Sequence, residues 1–259
     1  MALTEAPGPA ESSEVVITRL WERNYDPLTT RIIEGLPLEP TWNCLDVGSG
    51  GGSMAYWLAD RVPRGSVVAV DTDISRLDAG RAENLIVERA DITAEGPDEP
   101  GSLDLVLIRA VLSLVPDPDE LIARAVGWLR PGGWLLAEDF YFMPAADSPS
   151  ANGRAVVGAY LEAFERGGAD PRVGRRLPSA LPRAGLTSVE THVRPLGPGQ
   201  GETENALMRA RLELQGRPLI DGGLLTAEEI GEFVDAMDRP EGRDVTTLLF
   251  SVWGRRPHA

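Results

Sequence analysis

Along the chain, short apolar runs alternate with longer stretches in which apolar residues recur every three or four positions. Val67-Val68-Ala69-Val70, Leu105-Val106-Leu107-Ile108 and Trp134-Leu135-Leu136-Ala137 show no polar alternation, the pattern of parallel strands covered on both faces. Strands are predicted at Asn43–Val47, at Val67–Val70 ending in Asp71, at Leu85–Arg89, Gly101–Ile108, Trp134–Ala137, Thr187–Val193 and Thr246–Trp253. Helical spacing occupies about 53–61, 118–129, 151–164, 178–184, 204–214 and 226–237. Before the first strand, Val15, Val16, Leu20 and Trp21 share one helix face. Asn24-Tyr25-Asp26-Pro27 is expected to break that helix, and a second short one runs from Leu28 to Leu36. Strand and helix alternate throughout the first half, so the chain is read as an α/β fold with a doubly wound sheet.

One stretch organises the rest. Cys44-Leu45-Asp46-Val47 runs into Gly48-Ser49-Gly50-Gly51-Gly52 and then into an apolar helical pattern at Ser53: a strand, a tight loop and a helix start. Gly48 and Gly50 permit positive φ and leave no Cβ toward a ligand, and Gly52 lets the helix begin close to the strand. The helix N-terminus offers unpaired N–H groups to an anion. The spacing is G-x-G-x-G, and the third glycine of the dinucleotide pattern is replaced by Ser53. Asp46 at the strand tip would repel a pyrophosphate but suits an ammonium group. S-adenosylmethionine fits these demands: its carboxylate meets the loop and helix N–H groups, and its amino group approaches Asp46. The second strand also ends in an acid, Asp71, followed by Thr72. A carboxylate at that tip can accept from both hydroxyls of a ribose, in an NAD site as well as in this one. Asp73 is expected to cap a helix starting near Ile74. The third strand is followed by Ala90-Asp91-Ile92.

With these residues the chain resembles the class I S-adenosylmethionine-dependent methyltransferases, whose first motif is the pattern from Leu45 to Gly52. Tyr25-Asp26-Pro27, Arg89-Ala90-Asp91-Ile92, Ile108-Arg109-Ala110, Arg130-Pro131-Gly132-Gly133-Trp134 and Gly168-Ala169-Asp170-Pro171 look like a group of bacterial small-molecule methyltransferases of natural-product pathways. The resemblance implies a Rossmann-like seven-stranded sheet in the order 3-2-1-4-5-7-6 with the last strand antiparallel. It implies that Asp91 bonds the adenine amino group, that the Ile92 N–H meets a ring nitrogen, and that Arg109 meets the cofactor carboxylate or the substrate. The helices before the first strand would cover the cofactor, with Tyr25 over the cofactor or against the acceptor. The resulting cofactor set is Asp46, Gly48, Gly50, Gly52, Asp71, Thr72, Asp91, Ile92 and Arg109.

Residues 1–13, rich in Pro, Ala, Glu and Ser, read as a disordered leader, and 14–259 as one methyltransferase domain. It carries cap helices at 14–36 and lid insertions at about 143–185 and 197–243. Glu138 and Asp139 follow the fifth apolar run and point to opposite faces. Asp139 is favoured as a base where the acceptor must lose a proton, with Tyr25, Glu138, Tyr141 and His192 as other candidates.

Composition narrows the partners. A formal net charge of −15 over 259 residues disfavours nucleic-acid backbones and anionic membranes. The single cysteine, Cys44, is read as a small core residue, and with only His192 and His258 no metal site is expected. No signal peptide or membrane span is read, so a cytoplasmic enzyme is expected, monomer or homodimer, acting on a small-molecule acceptor. Two other readings stay open: a cofactor-binding protein of this fold without methyl transfer, of a pericyclic or regulatory kind, and an NAD-dependent enzyme.

Overall fold

The structure, a computed structural model, describes residues 12–97 and 99–258. Of the expected leader, residues 1–11 lie outside the described residues. Ser12 caps the first helix, accepting the Val15 N–H at 3.4 Å.

That helix, α1 (Ser13–Glu34), is a single helix where a break was expected, and Pro27 lies inside it. A proline removes its own N–H bond and crowds the preceding turn, which contacts from elsewhere can outweigh. Here Arg194 donates to the Asn24 carbonyl and amide oxygens at 2.6 and 3.0 Å, and Asp26 pairs with Arg109 at 2.9 Å. Just after Pro27, Thr29 donates to Glu138 at 2.5 Å, so the helix is held on both sides of the proline. The inward face matches the expected one at Leu20 and Trp21, while Val15 is exposed and Ile17 and Tyr25 complete the inward stripe.

The sheet follows, with β1 (Asn43–Val47), β2 (Ser66–Asp71), β3 (Leu85–Arg89), β4 (Leu103–Arg109), β5 (Leu129–Phe142), β6 (Thr187–Leu196) and β7 (Thr247–Arg255). Their order is β3-β2-β1-β4-β5-β7-β6, with β7 antiparallel to both β5 and β6. β4 is buried along its whole length, as its apolar run requires between two covered faces. One face packs α2 (Ser53–Arg61) with α1 on Cys44, Leu105 and Leu107. The other packs α3 (Pro118–Trp128) on Leu45, Val106 and Ile108. Between β1 and β4 the winding reverses, so the loops at their carboxyl ends open a crevice.

Two elements depart from expectation. No α-helix starts near Ile74; 72–84 holds only a 3-10 turn at Ala79–Arg81, because Asp73 and Asp78 accept the Ser75 and Gly80 N–H groups and curl the backbone locally. β5 does not stop at Ala137. β7 pairs with it from Trp134↔Arg255 to Phe142↔Thr247, which carries the strand well past Asp139.

The remaining helices are α4 (Ala151–Arg166), α5 (Leu177–Arg183), α6 (Glu202–Asp221) and α7 (Ala227–Ala236). α4, α6 and α7 share a core of their own, built from Val156, Leu212, Leu219 and Phe233. α5, inside the first expected insertion, instead packs Leu177, Ala180 and Leu181 into the sheet core. Among the described residues no helix is long and apolar enough to cross a membrane.

Candidate functional site

Two cavities open at the carboxyl ends of the strands and meet at Gly48 and Ala110. The first, about 250 Å³, is walled by Asp46, the glycine loop, the start of α2, Glu22 and Arg109. The second, about 480 Å³, is lined by Gly48, Asp71, Thr72, Asp91, Ile92 and the loop after β4. The expected cofactor residues Asp46, Gly48, Gly50 and Arg109 therefore line one cavity, and Asp71, Thr72, Asp91 and Ile92 the other.

The loop geometry explains its glycines. Gly50 has φ +56°, and a Cβ there would meet no atom within 4 Å, so it would project into open space beside the cavity. Gly52, at φ +85°, lines neither cavity. A Cβ there would lie 2.6 Å from the Tyr56 ring and 2.7 Å from Leu77. Its role is to let the helix's own Tyr56 and Leu77 close over the turn, in place of the expected approach to the strand.

The acids differ in what holds them. Asp46 is 3% exposed, and its Oδ2 has no hydrogen-bond partner. Burial pushes its pKa up to about 6, against the opposing pull of Arg109 and the Ser49 hydrogen bond. An orphaned carboxylate oxygen inside a cavity wall fits a donor that arrives from outside. Asp71 accepts the Gly50 N–H at 2.9 Å and the Asp73 N–H at 3.0 Å, so it braces the loop from the second strand. Asp91 is exposed; it accepts from Thr93, and that side-chain hydrogen bond holds its pKa below the usual value. The first cavity also holds groups that sequence reasoning missed. Glu22 is raised by burial first and by Asp26 next, and Arg76 donates to Thr18 at 2.9 Å. Their signal was the four-residue spacing of Thr18 and Glu22 on α1.

Arg109 is not free to swing onto a ligand. Its Nη2 pairs with Asp26 at 2.9 Å, and its Nε stands 3.0 Å from Glu138 Oε2, out of line for a hydrogen bond. The guanidinium lies over Trp21 at 4.8 Å. Glu138 is tied further by Thr29 at 2.5 Å and Ser251 at 2.6 Å, fastening α1 to the sheet.

Asp139 does not join the site. It is 0% exposed and lies against none of the cavities described here. Oδ2 accepts the Ser113 N–H at 3.0 Å and Oδ1 the Phe140 N–H at 2.8 Å. Burial pushes its pKa up to about 6 while those N–H groups pull it down. It pins the loop after β4, and the expectation of a base there is corrected by its enclosure. Tyr141, also considered as a base, stacks under Arg175, and His192 is exposed on the edge strand β6.

Tyr25 does face a cavity, a third one of about 360 Å³ between α1, β5 and the α4–α6–α7 cluster. Its walls are aromatic and aliphatic, with Trp21, Phe140, Phe142, Phe164 and Leu207 prominent. Tyr25 packs edge-on to Trp21 and Phe140 at 4.9 and 5.6 Å, and its hydroxyl lies 3.4 Å from Glu204. Burial, then Glu204, drives the Tyr25 pKa upward. Glu204 is itself raised by burial and accepts from Asn24. Ala110, the residue shared by all three cavities, holds φ 52° and donates its N–H to the Glu138 carbonyl at 2.8 Å. A non-glycine residue in that region is strained by about 1–3 kcal/mol, which marks the junction as a shaped position. Among the described residues no group of His, Cys, Asp and Glu could hold a metal.

The sheet order and the cleft define a Rossmann-like methyltransferase fold. Residues 45–137 match the family described as Methyltransferase domain, and over that stretch the chain is similar to the class I S-adenosylmethionine-dependent methyltransferases. Among relatives, Methyltransferase str3 of Strobilurus tenacellus is 31% identical over 58% of this chain and 57% of its own length. Trans-aconitate 2-methyltransferase of Methylobacterium radiotolerans is 29% identical over 65% of this chain and 63% of its own. This chain thus spans less than two thirds of either relative. A phosphoethanolamine N-methyltransferase 2 of Haemonchus contortus, solved with S-adenosylhomocysteine, shares the fold with a TM-score of 0.62. It is 16% identical and covers 90% of this chain and 53% of that one.

Proposed function

We propose that the protein transfers the methyl group of S-adenosylmethionine to a small, largely apolar acceptor. The observation that carries this is the placement of Asp46 Oδ2, buried without a partner in the wall of the first cavity, across from the start of α2. An amino-acid zwitterion needs an acid for its ammonium and N–H donors for its carboxylate, and both border this one cavity. Asp71 and Thr72 would meet the ribose, and Asp91 and Ile92 the base. When bound, the cofactor supplies an activated methyl on a sulfonium. The chain's own part is alignment: the apolar walls beside Ala110 hold the acceptor and exclude water. Alignment of this kind accounts for about 7–11 kcal/mol of a barrier. Tyr25 and Glu204 are the polar groups beside the junction and would orient the reacting end of the acceptor. One relative, Trans-aconitate 2-methyltransferase, is named for a small molecule, which supports a small-molecule acceptor.

The test is incubation with methyl-labelled S-adenosylmethionine and fractionated extracts, following S-adenosylhomocysteine and label. Label entering a small molecule supports the reading. Tight binding of the cofactor with no label transferred to any fraction would favour the cofactor-binding alternative, and preference for NAD in calorimetry would replace both.

A further inference from the structure

The acceptor cavity contains two polar groups that make no hydrogen bond to the rest of the described protein. The Tyr160 hydroxyl, on α4, is buried and has no hydrogen-bond partner. Arg211, on α6, lines the same cavity half-buried, and among the described residues its guanidinium makes no hydrogen bond and no ion pair. The two are close enough for the Arg211 charge to act on the Tyr160 phenol. A cation and a hydroxyl donor without hydrogen bonds, in an enclosure with mostly apolar walls, are desolvated groups that a ligand anion would satisfy. Glu204 feels the Arg211 charge, which pulls its pKa down against burial, but it stands two helical turns before Arg211, forms no ion pair with it, and its carboxylate takes its hydrogen bonds from Asn24 and Tyr25.

We infer that the acceptor is a monocarboxylate with an apolar body, its carboxylate held by Arg211 and Tyr160 and its methyl-receiving end turned toward Ala110 and Tyr25. The planar guanidinium fork and one hydroxyl match the two in-plane oxygens of a carboxylate. A phosphate dianion would ask for more cationic charge and would stand beside Glu204 without it. Phe142, Phe164 and Val157, which line the same cavity, suit an aryl or alkyl chain. This inference rests on the reading of this cavity as the acceptor site.

The experiment is calorimetric titration, with S-adenosylhomocysteine present, of 4-phenylbutanoate, octanoate and decanoate against their primary amides. The expected result is that at least one acid binds about tenfold or more tightly than its amide. Arg211→Met abolishes the preference, Arg211→Lys keeps part of it, and Tyr160→Phe weakens the acid severalfold while leaving the amide unmoved. S-adenosylhomocysteine affinity, read first in each variant, reports folding. Should neither acids nor amides bind, should both bind equally, or should Arg211→Met and Tyr160→Phe both retain the preference, the inference is overturned and the methyltransferase reading stands. Failure of the wild type to bind S-adenosylhomocysteine would instead overturn that reading.

Discussion

Replacing Asp46 by Asn separates what this carboxylate does for the ligand from what it costs the empty protein. Its pKa stands at about 6 against an ordinary 3.8, raised mainly by burial. The folded state therefore holds the proton up to about pH 6, while the unfolded chain releases it near pH 4. Stability falls as pH rises through that window and stays lower above it. A shift of about two units corresponds to about 3 kcal/mol. Asn mimics the protonated acid, so D46N without ligand is expected to melt about 6 °C or more above wild type at pH 8, with the gap closing toward pH 4. Binding moves the other way. An ammonium at Oδ2 favours the ionised form, so wild-type affinity for S-adenosylhomocysteine should fall about tenfold from pH 7.5 to pH 5. D46N should bind at least about tenfold more weakly at pH 7.5, with a flat profile through pH 6. Differential scanning fluorimetry and calorimetry over pH 5–8 read both effects. If D46N melts below wild type at pH 8, or keeps wild-type affinity there with the same pH slope, the assignment of Asp46 fails.

Asp139 has a similar raised pKa but a different setting, and D139N should destabilise: its oxygens each accept one N–H, from Ser113 and from Phe140, so the new amide nitrogen would face one of those donors. A loss of about 1–3 kcal/mol is expected in urea melts, with S-adenosylhomocysteine affinity much less affected than by D46N. G50A should cost about 1–2 kcal/mol for its left-handed φ and, because its Cβ projects into open space beside the cavity, weaken cofactor binding beyond that strain; titration at a temperature where both proteins are fully folded separates the two. D71A removes the acceptor of the Gly50 N–H and the carboxylate expected at the ribose, so calorimetry should show S-adenosylhomocysteine affinity reduced about tenfold or more.

How much of this was legible in the sequence follows from how local each feature is. Asp46, Asp71 and Asp91 each end or follow a short strand-like run, and in a doubly wound sheet the strand carboxyl ends converge, so reading the strands places the acids on one cleft. Asp139 is the opposite case. It follows Trp134–Ala137, so the strand seemed to end beside it, yet pairing with β7, more than a hundred residues later, extends β5 to Phe142 and buries the side chain under the loop it caps. Pro27 failed to break α1 because Arg194, from β6, and Arg109, from β4, hold Asn24 and Asp26 before it, and Glu138, from β5, holds Thr29 after it. Arg211, Glu204 and Tyr160 carry no local signal: an arginine or glutamate within a helical pattern reads as solvated. Only the packing of α4, α6 and α7 over β5 turns them toward a common interior.

The measurement nearest the central claim is a crystal structure with S-adenosylhomocysteine. The account predicts the amino group within hydrogen-bond distance of Asp46 Oδ2, the adenosine beside Asp71 and Asp91, and the sulfur directed past Ala110 into the aromatic cavity. A ligand whose amino group lies away from Asp46, or whose sulfur is turned from that cavity, would contradict it.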